Sequence, residues 1–566
     1  MSVRPSGSRH SGSDGTRENP SRSRPQALCA ATRPVSSHSP AAPFRVPVTR
    51  PRGYSVQRRA RRAAPLQRRQ AAAAKERRRG SCIGDVAALR IRLPGPHAPA
   101  WVIAESLGAA LFSFVSMLAI GRVIGPQDAG TGTVAIAAFL LLDVFGATLF
   151  SDAVVQLPGL RRRHGESAAT ASALAGCVLG LLLAGAGPVL AAGSGAPQVA
   201  WLALALAPLM PLSAVCGTAA GLLLRRQRYR ILALRLLLGQ PLALGTGLLL
   251  GLAGCGPWAM IGAQAVATLV TFILLATGGG VPLRPRLHRG ALRELWPVAG
   301  PQVAGVALLA GRYRIFLLLL GLMVPQAVLA LSHFAFRLLD AASSVVWHAT
   351  GRLALPRLCA AQADRAALAE IYGEIAQLQA VIGLPLALGL ALVGPDLTHV
   401  LLGPAWAGTG DAVRVASMAA IAGFLYGDQV SLFVALGRTR VNFWIACAML
   451  LLPVAALLLL RPQTPVGAAL AWSVPGVLLA PVIGWTVLHH LQRGPGWLLR
   501  RIAPALLASL AMALIVAVVQ AALTAPLLRL AGAVLAGGAG YAVVLWLALG
   551  RRLPAALVQV RLPRPA

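Results

Sequence analysis

Apolar and polar positions alternate along this chain in long blocks rather than residue by residue. From Trp101 onward, apolar stretches cover 101–121, 133–156, 168–192, 198–223, 230–251, 257–277, 297–320, 325–349, 376–394, 411–436, 442–460, 466–488, 502–523 and 528–549. Each is close to the ~20 residues that carry an α-helix across the hydrocarbon core of a bilayer. The pattern therefore predicts about fourteen transmembrane helices joined by short loops, an all-α polytopic membrane protein. The stretches 325–349 and 411–436 are the most polar of the set.

The eighth stretch combines apolarity with a polar stripe. It reads PQAVLALSHFAFRLLDAASSVVWHATGRLALPRL from Pro325 to Leu358. At about 100° per residue, His333, Arg337, Asp340 and Ser344 fall within about 60° of one another. A charge at membrane depth is costly, so it faces a bundle interior or a wet cavity. Arg337 and Asp340 have the i,i+3 spacing of an ion pair. Two readings stay open: an ion pair holding packed helices together, or the polar wall of a substrate path.

The same stretch has an echo nearer the start of the chain. PQDAGTGTVAIAAFLLLDVFGATLFSDAVVQLPGL begins at Pro126. Both copies open on Pro-Gln (126–127 and 325–326), reach Leu-Leu-Asp (141–143 and 338–340) and close on Leu-Pro-x-Leu (157–160 and 355–358). The three offsets, 199, 197 and 198 residues, agree well enough to indicate duplication. Transporter folds are commonly built from internal repeats, with substrate sites near the repeat interface.

Charge sharpens this picture. The formal net charge is +35, which on a soluble chain would suggest nucleic acid. Here residues 1–95 carry 21 Lys+Arg against four acids (Asp14, Glu18, Glu76 and Asp85), and most of the rest lies in short loops. With an internal N-terminus, the inside loops hold Arg161–Arg163, then Arg225, Arg226, Arg228 and Arg230, then Arg284, Arg286, Arg289 and Arg293. Further along they hold Arg352, Arg357 and Arg365, then Arg438 and Arg440, then Arg493, Arg500 and Arg501, and the tail with Arg551 and Arg552. The outside turns hold only Arg122, Arg461 and Arg529. This alternation predicts that both termini are cytoplasmic.

Residues 1–95, rich in Ser, Pro and Arg, lack periodicity and are expected to be disordered. Three readings stay open for them: a start codon assigned too far upstream, a cytoplasmic tail drawn to anionic lipid, or a nonspecific nucleic-acid binder. The cysteines at 29, 82, 177, 216, 255, 359 and 447 are scattered, so neither a zinc site nor a disulfide framework is expected.

Other polar groups fall inside apolar stretches. Glu105 and Ser116 share a face of the first, and Gln302 and Tyr313 share a face of the seventh. Arg312 and Arg314 lie about 200° apart, so both cannot enter one cavity. Arg414, Ser417 and Asp428 fall within about 40° of a common line on the tenth. Asp143 and Asp152 face opposite ways on the second. For any single group, helix–helix glue or snorkelling is as good a reading as function. Together they fit a hydrated central cavity. Arginines there suit an anionic headgroup, because guanidinium matches phosphate geometry and stays charged. A carboxylate such as Asp340 or Glu105 could bind a coupling proton or sodium ion.

No enzyme signature is present. Gly278-Gly279-Gly280 precedes no Lys-Ser/Thr, and HExxH and EF-hand patterns are missing. His333 and His348 are expected to be packed or hydrogen-bonded rather than metal ligands.

Several segments resemble a known family. GRVIGPQDAGTGTVAIAAFLLLDVFGATLFSDAVVQ (121–156) is similar to the first hairpin of the bacterial polysaccharide (oligosaccharide) flippases, within the multidrug/oligosaccharidyl-lipid/polysaccharide exporter superfamily. FAFRLLDAASSVVWHATGRLALPRL (334–358), GLPLALGLALVGPDLTHVLLGPAWAGTGDAVRV (383–415) and ALGRTR (435–440) extend the resemblance over roughly 100–490. It implies two pseudo-symmetric six-helix lobes around a central cavity, with two further C-terminal helices. On this chain the lobes would be 96–296 and 297–490, with the extra helices and a short basic tail in 491–566 and the basic tail in 1–95.

The resemblance also implies flipping of polyprenyl-pyrophosphate-linked oligosaccharide across the inner membrane by alternating access. Its partners would be the lipid-linked saccharide, membrane lipids and other polysaccharide-assembly proteins, with proton or sodium coupling and no nucleic acid, metal or cofactor. Arg312 and Arg337, with Tyr313 and Gln302, are the candidates for the anionic headgroup; Asp340, His333, Glu105 and Asp428 are the polar or coupling candidates. Two departures stand out: the basic tail, and a first lobe with few charges in its helices beyond Glu105, Asp143, Asp152 and Arg235. The alternatives are a drug/cation antiporter of the same superfamily, a membrane glycosyltransferase or polysaccharide polymerase, and a noncatalytic scaffold of envelope assembly. The loop 394–410, with Asp396 and His399, is short for a catalytic domain.

Overall fold

The computed structural model describes residues 100–281 and 284–550; the basic stretch expected at 1–95 and the tail arginines 551 and 552 lie outside them. All regular structure among the described residues is helical. The first group of helices is α1 (Ala100–Thr148), α2 (Ser151–Gln156), α3 (Arg162–Ser194), α4 (Gln198–Leu206), α5 (Leu209–Arg225), α6 (Tyr229–Leu252) and α7 (Trp258–Thr277). The second is α8 (Arg289–Gly321), α9 (Gln326–Ala360), α10 (Arg365–Leu402), α11 (Thr409–Phe424), α12 (Gln429–Ala435), α13 (Thr439–Leu460) and α14 (Pro465–Leu491). Two more, α15 (Pro495–Ala522) and α16 (Pro526–Ala548), follow.

Twelve helical stretches among the described residues are long and apolar enough to cross a membrane. One of them, Phe114–Gln156, runs across the kink in α1, and α8 is not among the twelve. All fourteen apolar stretches of the sequence nevertheless fall in helices, because α1 holds two of them and α8 extends over 33 residues, about 50 Å at 1.5 Å per residue. The protein is a multi-pass membrane protein.

Local chemistry fixes where the helices stop and start. Gly125 takes φ 77°, a left-handed value that a side chain disfavours, and Pro126 opens the next helical run. The result is a kink that turns one continuous helix into two spans. Asp364 caps α10 by accepting from the Ala366 and Ala367 amides at 2.8 and 3.3 Å. Thr464 caps α14 through Gly467 at 3.1 Å. Pro495 and Pro526 begin α15 and α16, where a missing N–H costs nothing.

Burial shows how the two groups of helices meet. α1 packs against α5, α6, α8 and α9; α10 packs against α9, α11 and α15; α11 and α13 pack on α14. One large apolar cluster joins Val134 and Phe139 of α1, Phe316 and Leu320 of α8, Leu329 and Phe336 of α9 and Val413 of α11. A second joins Ala129, Phe334 and Trp406. Both lie toward the end opposite the arginine-rich loops. There Gly130 of α1 sits directly on the Gln326 backbone of α9, so closely that a Cβ would collide with it. Toward the arginine-rich end the clusters separate. One set belongs to α1–α8, the other to α9–α16, and among the described residues none joins the two. At this end α8, the first helix of the second group, stays packed on the first group through Leu295 and Ala299, so the apolar clusters part between α8 and α9.

Candidate functional site

The middle of the bundle holds a cavity of about 480 Å³ between α1, α6, α7, α8 and α9. Its polar wall is Tyr313 and Arg314 from α8 with His333 and Arg337 from α9. Ser116, Gln240 and Gln264 add neutral polar groups from α1, α6 and α7. No carboxylate lines it. Two guanidinium groups from different helices thus share one cavity at membrane depth, where fixed charge is expensive and is retained at sites that use it.

Helix geometry explains the grouping. His333 and Arg337 are four apart and stack on one face of α9, as their spacing predicts. The Tyr313 hydroxyl lies 2.8 Å from His333 Nδ1, and the two rings stack with centroids 6.2 Å apart. Tyr313 also meets Trp472 edge-on at 5.6 Å and Phe336 at 6.1 Å. An aromatic cluster therefore fixes α8 against α9 beside the cavity. Arg337 lies 3.9 Å from Asp340, whose side chain is 75 % exposed. Asp340 lies fourteen residues into a membrane-crossing helix and does not line the cavity.

The other sequence candidates fall elsewhere. Arg312 turns away from the cavity and lines a pocket of about 170 Å³ with Tyr426 and Ser473, its guanidinium 5.9 Å from the Trp472 ring. Arg314 occupies the cavity in its stead. Helical projection puts the two arginines on opposite faces but does not say which face meets which half. Gln302 donates to Asp152 at 2.7 Å, joining α8 to α2. Glu105 pairs with Arg235 at 3.3 Å, joining α1 to α6. Asp428 lies on no common line with Arg414 and Ser417, because the helix breaks between Phe424 and Gln429; its carboxylate caps α12 through Ser431. Ser344 bonds back to the Ala341 carbonyl at 2.8 Å.

One group had no assigned role in the sequence. Asp143 of α1 lies near Ser213 and within Coulombic reach of Arg314. Its Oδ1 is buried without a hydrogen-bond partner among the described residues. It is the counterpart, in the earlier copy of the repeat, of Asp340 in the later one. No group of three or more His, Cys, Asp or Glu side chains that could hold a metal occurs among the described residues.

A kinked multi-span bundle, duplicated around a polar cavity, defines a membrane transporter fold. The family model described as "Polysaccharide biosynthesis protein" matches residues 119–410, and the chain belongs to that family. Over 172 residues it is 28 % identical to the succinoglycan biosynthesis transport protein ExoT of Rhizobium meliloti (strain 1021). That match covers 30 % of this chain and 34 % of the relative, so it spans about a third of the relative's length. The fold is similar to that of the lipid II flippase MurJ in an inward closed conformation, with TM-score 0.64 and 13 % identity over 80 % of this chain and 98 % of that one. It is also similar to an inward-facing multidrug resistance MATE family transporter of the MOP superfamily, with TM-score 0.55 and 16 % identity over 69 % of this chain and 98 % of that one. The chain shares its fold with these two solved transporters.

Proposed function

We propose that this protein is a flippase of polyprenyl-pyrophosphate-linked oligosaccharide for cell-surface polysaccharide biosynthesis. The observation that carries the reading is the pair Arg314 and Arg337, two guanidiniums from different helices lining one cavity that no carboxylate lines. A diphosphate carries more than one negative charge and several acceptor oxygens, and arginine binds such groups bidentately without losing its proton. Tyr313 and His333 would orient the headgroup beside the arginines. Transport-related relatives in polysaccharide and lipid II pathways support the same reading.

The separation of the apolar clusters between α8 and α9 at the arginine-rich end supports entry of the headgroup from that side while its polyprenyl tail stays in lipid. The shared apolar clusters then separate on the other side, giving alternating access between lobes 96–296 and 297–490, with α15 and α16 packed beside α10 of the second. The chain would sit in the bacterial inner membrane with its arginine-rich loops and both termini in the cytoplasm, by the positive-inside rule. It would act as a transporter rather than an enzyme, in company with other polysaccharide-assembly proteins. Asp340 or Asp143 would take part in proton or sodium coupling.

A drug/cation antiporter is the second reading, favoured by the Asp143 Oδ1, which has no hydrogen-bond partner among the described residues. Purified full-length protein in proteoliposomes separates them. A fluorescent polyprenyl-pyrophosphate saccharide should change leaflet at a protein-dependent rate. Protein-free rates for that lipid, together with proton-driven uptake of an organic cation, would overturn the flippase reading.

A further inference from the structure

The two halves each carry a basic pocket at the arginine-rich end, in matching places of the fold. In the first half it lies between the start of α3, the α5–α6 turn and the segment after α7, with a volume of about 490 Å³. In the second it lies between the start of α10, the α12–α13 turn and the α14–α15 turn, with a volume of about 610 Å³. The equivalence is that expected of a duplicated chain.

Their arginines differ in what they are bonded to. In the first-half pocket Arg225 donates to the Val154, Val155 and Leu157 carbonyls at 3.1, 3.0 and 2.7 Å. There Arg226 donates to the Gly279 carbonyl at 2.8 Å, and Arg162 pairs with Glu166 at 2.8 Å. Those cations hold loops together. The second-half pocket gathers Arg365, Arg438, His489, His490 and Arg493, and no carboxylate lines it. Arg493 lies 3.8 Å from Glu370 and 5.8 Å from the Trp497 ring. Among the described residues the guanidiniums of Arg365 and Arg438 have no carboxylate or carbonyl partner. His490 uses Nδ1 on the Thr486 carbonyl at 2.8 Å, which leaves Nε2 for another group.

Depth identifies what such a pocket meets. Trp485 lines it and is 69 % exposed, and Trp444 of the adjoining α13 is also 69 % exposed. Each lies about six residues, roughly 9 Å, inside the helix end that carries the basic groups. Exposed tryptophan at that depth belongs at the boundary between acyl chains and headgroups. The cations then sit at headgroup level, above an apolar floor that includes Leu488.

We propose that this second-half pocket binds the phosphate headgroup of an anionic membrane phospholipid, with Arg365 and Arg438 as its principal ligands and Trp485 against the glycerol and acyl region. Basic pockets between membrane helices bind such headgroups on these principles. The site shares no lining residue with the central cavity and does not depend on what that cavity carries.

The test uses full-length protein in neutral detergent and native mass spectrometry with phosphatidylglycerol, phosphatidylcholine or inorganic phosphate. Phosphatidylglycerol should bind in preference to phosphatidylcholine, and inorganic phosphate at equal concentration should not displace it. Arg365→Gln with Arg438→Gln should weaken phosphatidylglycerol binding roughly thirtyfold, and the Lys/Lys double variant should restore most of it. The matching change Arg226→Gln in the first-half pocket should leave affinity within about twofold. Thermal melting without added lipid checks that the variants fold; both arginines are exposed, so it should not move. Equal binding of both lipids, displacement by inorganic phosphate, or unchanged affinity in the folded Gln/Gln variant would each overturn the proposal.

Discussion

The two copies of the repeat, 126–160 in α1 and α2 and 325–358 in α9, begin alike and end alike, yet they face the cavity with opposite chemistry. Aligned on their shared Leu-Leu-Asp, His333 and Arg337 of the later copy correspond to Ile136 and Leu140 of the earlier one. All four line the same cavity. One wall is therefore cationic and aromatic, the other aliphatic. The shared aspartates diverge too. Asp340 is largely exposed beside Arg337, whereas Asp143 is partly buried near Arg314 with one oxygen unpartnered. What the two copies share is scaffold: the Pro-Gln entry, the Leu-Leu-Asp and the Leu-Pro exit. Of the two copies, only the later one places a charge on the cavity wall. A cavity with one charged and one apolar wall suits a headgroup whose charge must be held on one side while the rest slides past.

The contrast can be broken outright. Converting the polar wall to neutral amides with Arg314→Gln and Arg337→Gln together should lower the flipping rate by about a hundredfold, the loss of two charge-assisted contacts to a diphosphate. The leaflet-resolved assay reads this directly, and folding is checked by gel filtration. Next in size is the crossing point. Gly130→Ala forces a Cβ into the Gln326 backbone, so it should cost about 1–3 kcal/mol in thermal unfolding. Gly185→Ala has open space around it and should instead be neutral or stabilise by up to about 1 kcal/mol. Equal effects at the two glycines would remove the crossing point from the account.

Smaller changes sharpen the difference between the copies. Asp143→Asn should destabilise by about 1–2 kcal/mol, because it removes the countercharge of a partly buried arginine. Asp340→Asn should stay within about 0.5 kcal/mol, since an exposed i,i+3 pair contributes little. Denaturant unfolding of the two variants side by side distinguishes them. Tyr313→Phe should slow flipping by about threefold to tenfold by deleting its hydrogen bond to His333. A wild-type rate would show that the bond only packs α8 against α9.

Much of the fold was legible in the sequence because bilayer thickness imposes a length on every span. The repeat was legible because the duplicated Pro-Gln and Leu-Pro signals mark helix ends. Within the cavity, His333 and Arg337 were legible as neighbours, since periodicity gives the angle between side chains on one helix; Tyr313 lies on another helix, where its spacing groups it with Gln302. What periodicity does not give is the direction in which that helix is rotated. Hence Arg312 was favoured where Arg314 lines the cavity. Partners more than a hundred residues away, such as Arg235 for Glu105 and Asp152 for Gln302, leave no local pattern. Asp428 was misaligned because the break after Phe424 resets the helical phase.

The central claim, that the two arginines facing one cavity hold the anionic headgroup, is tested most directly by three single variants in the flipping assay. Arg314→Gln and Arg337→Gln should each lower the rate by about tenfold or more, while Arg312→Gln, whose side chain lines the separate pocket, should stay within about threefold of wild type. Rates that survive both cavity changes, or that fall only in Arg312→Gln, would contradict the account.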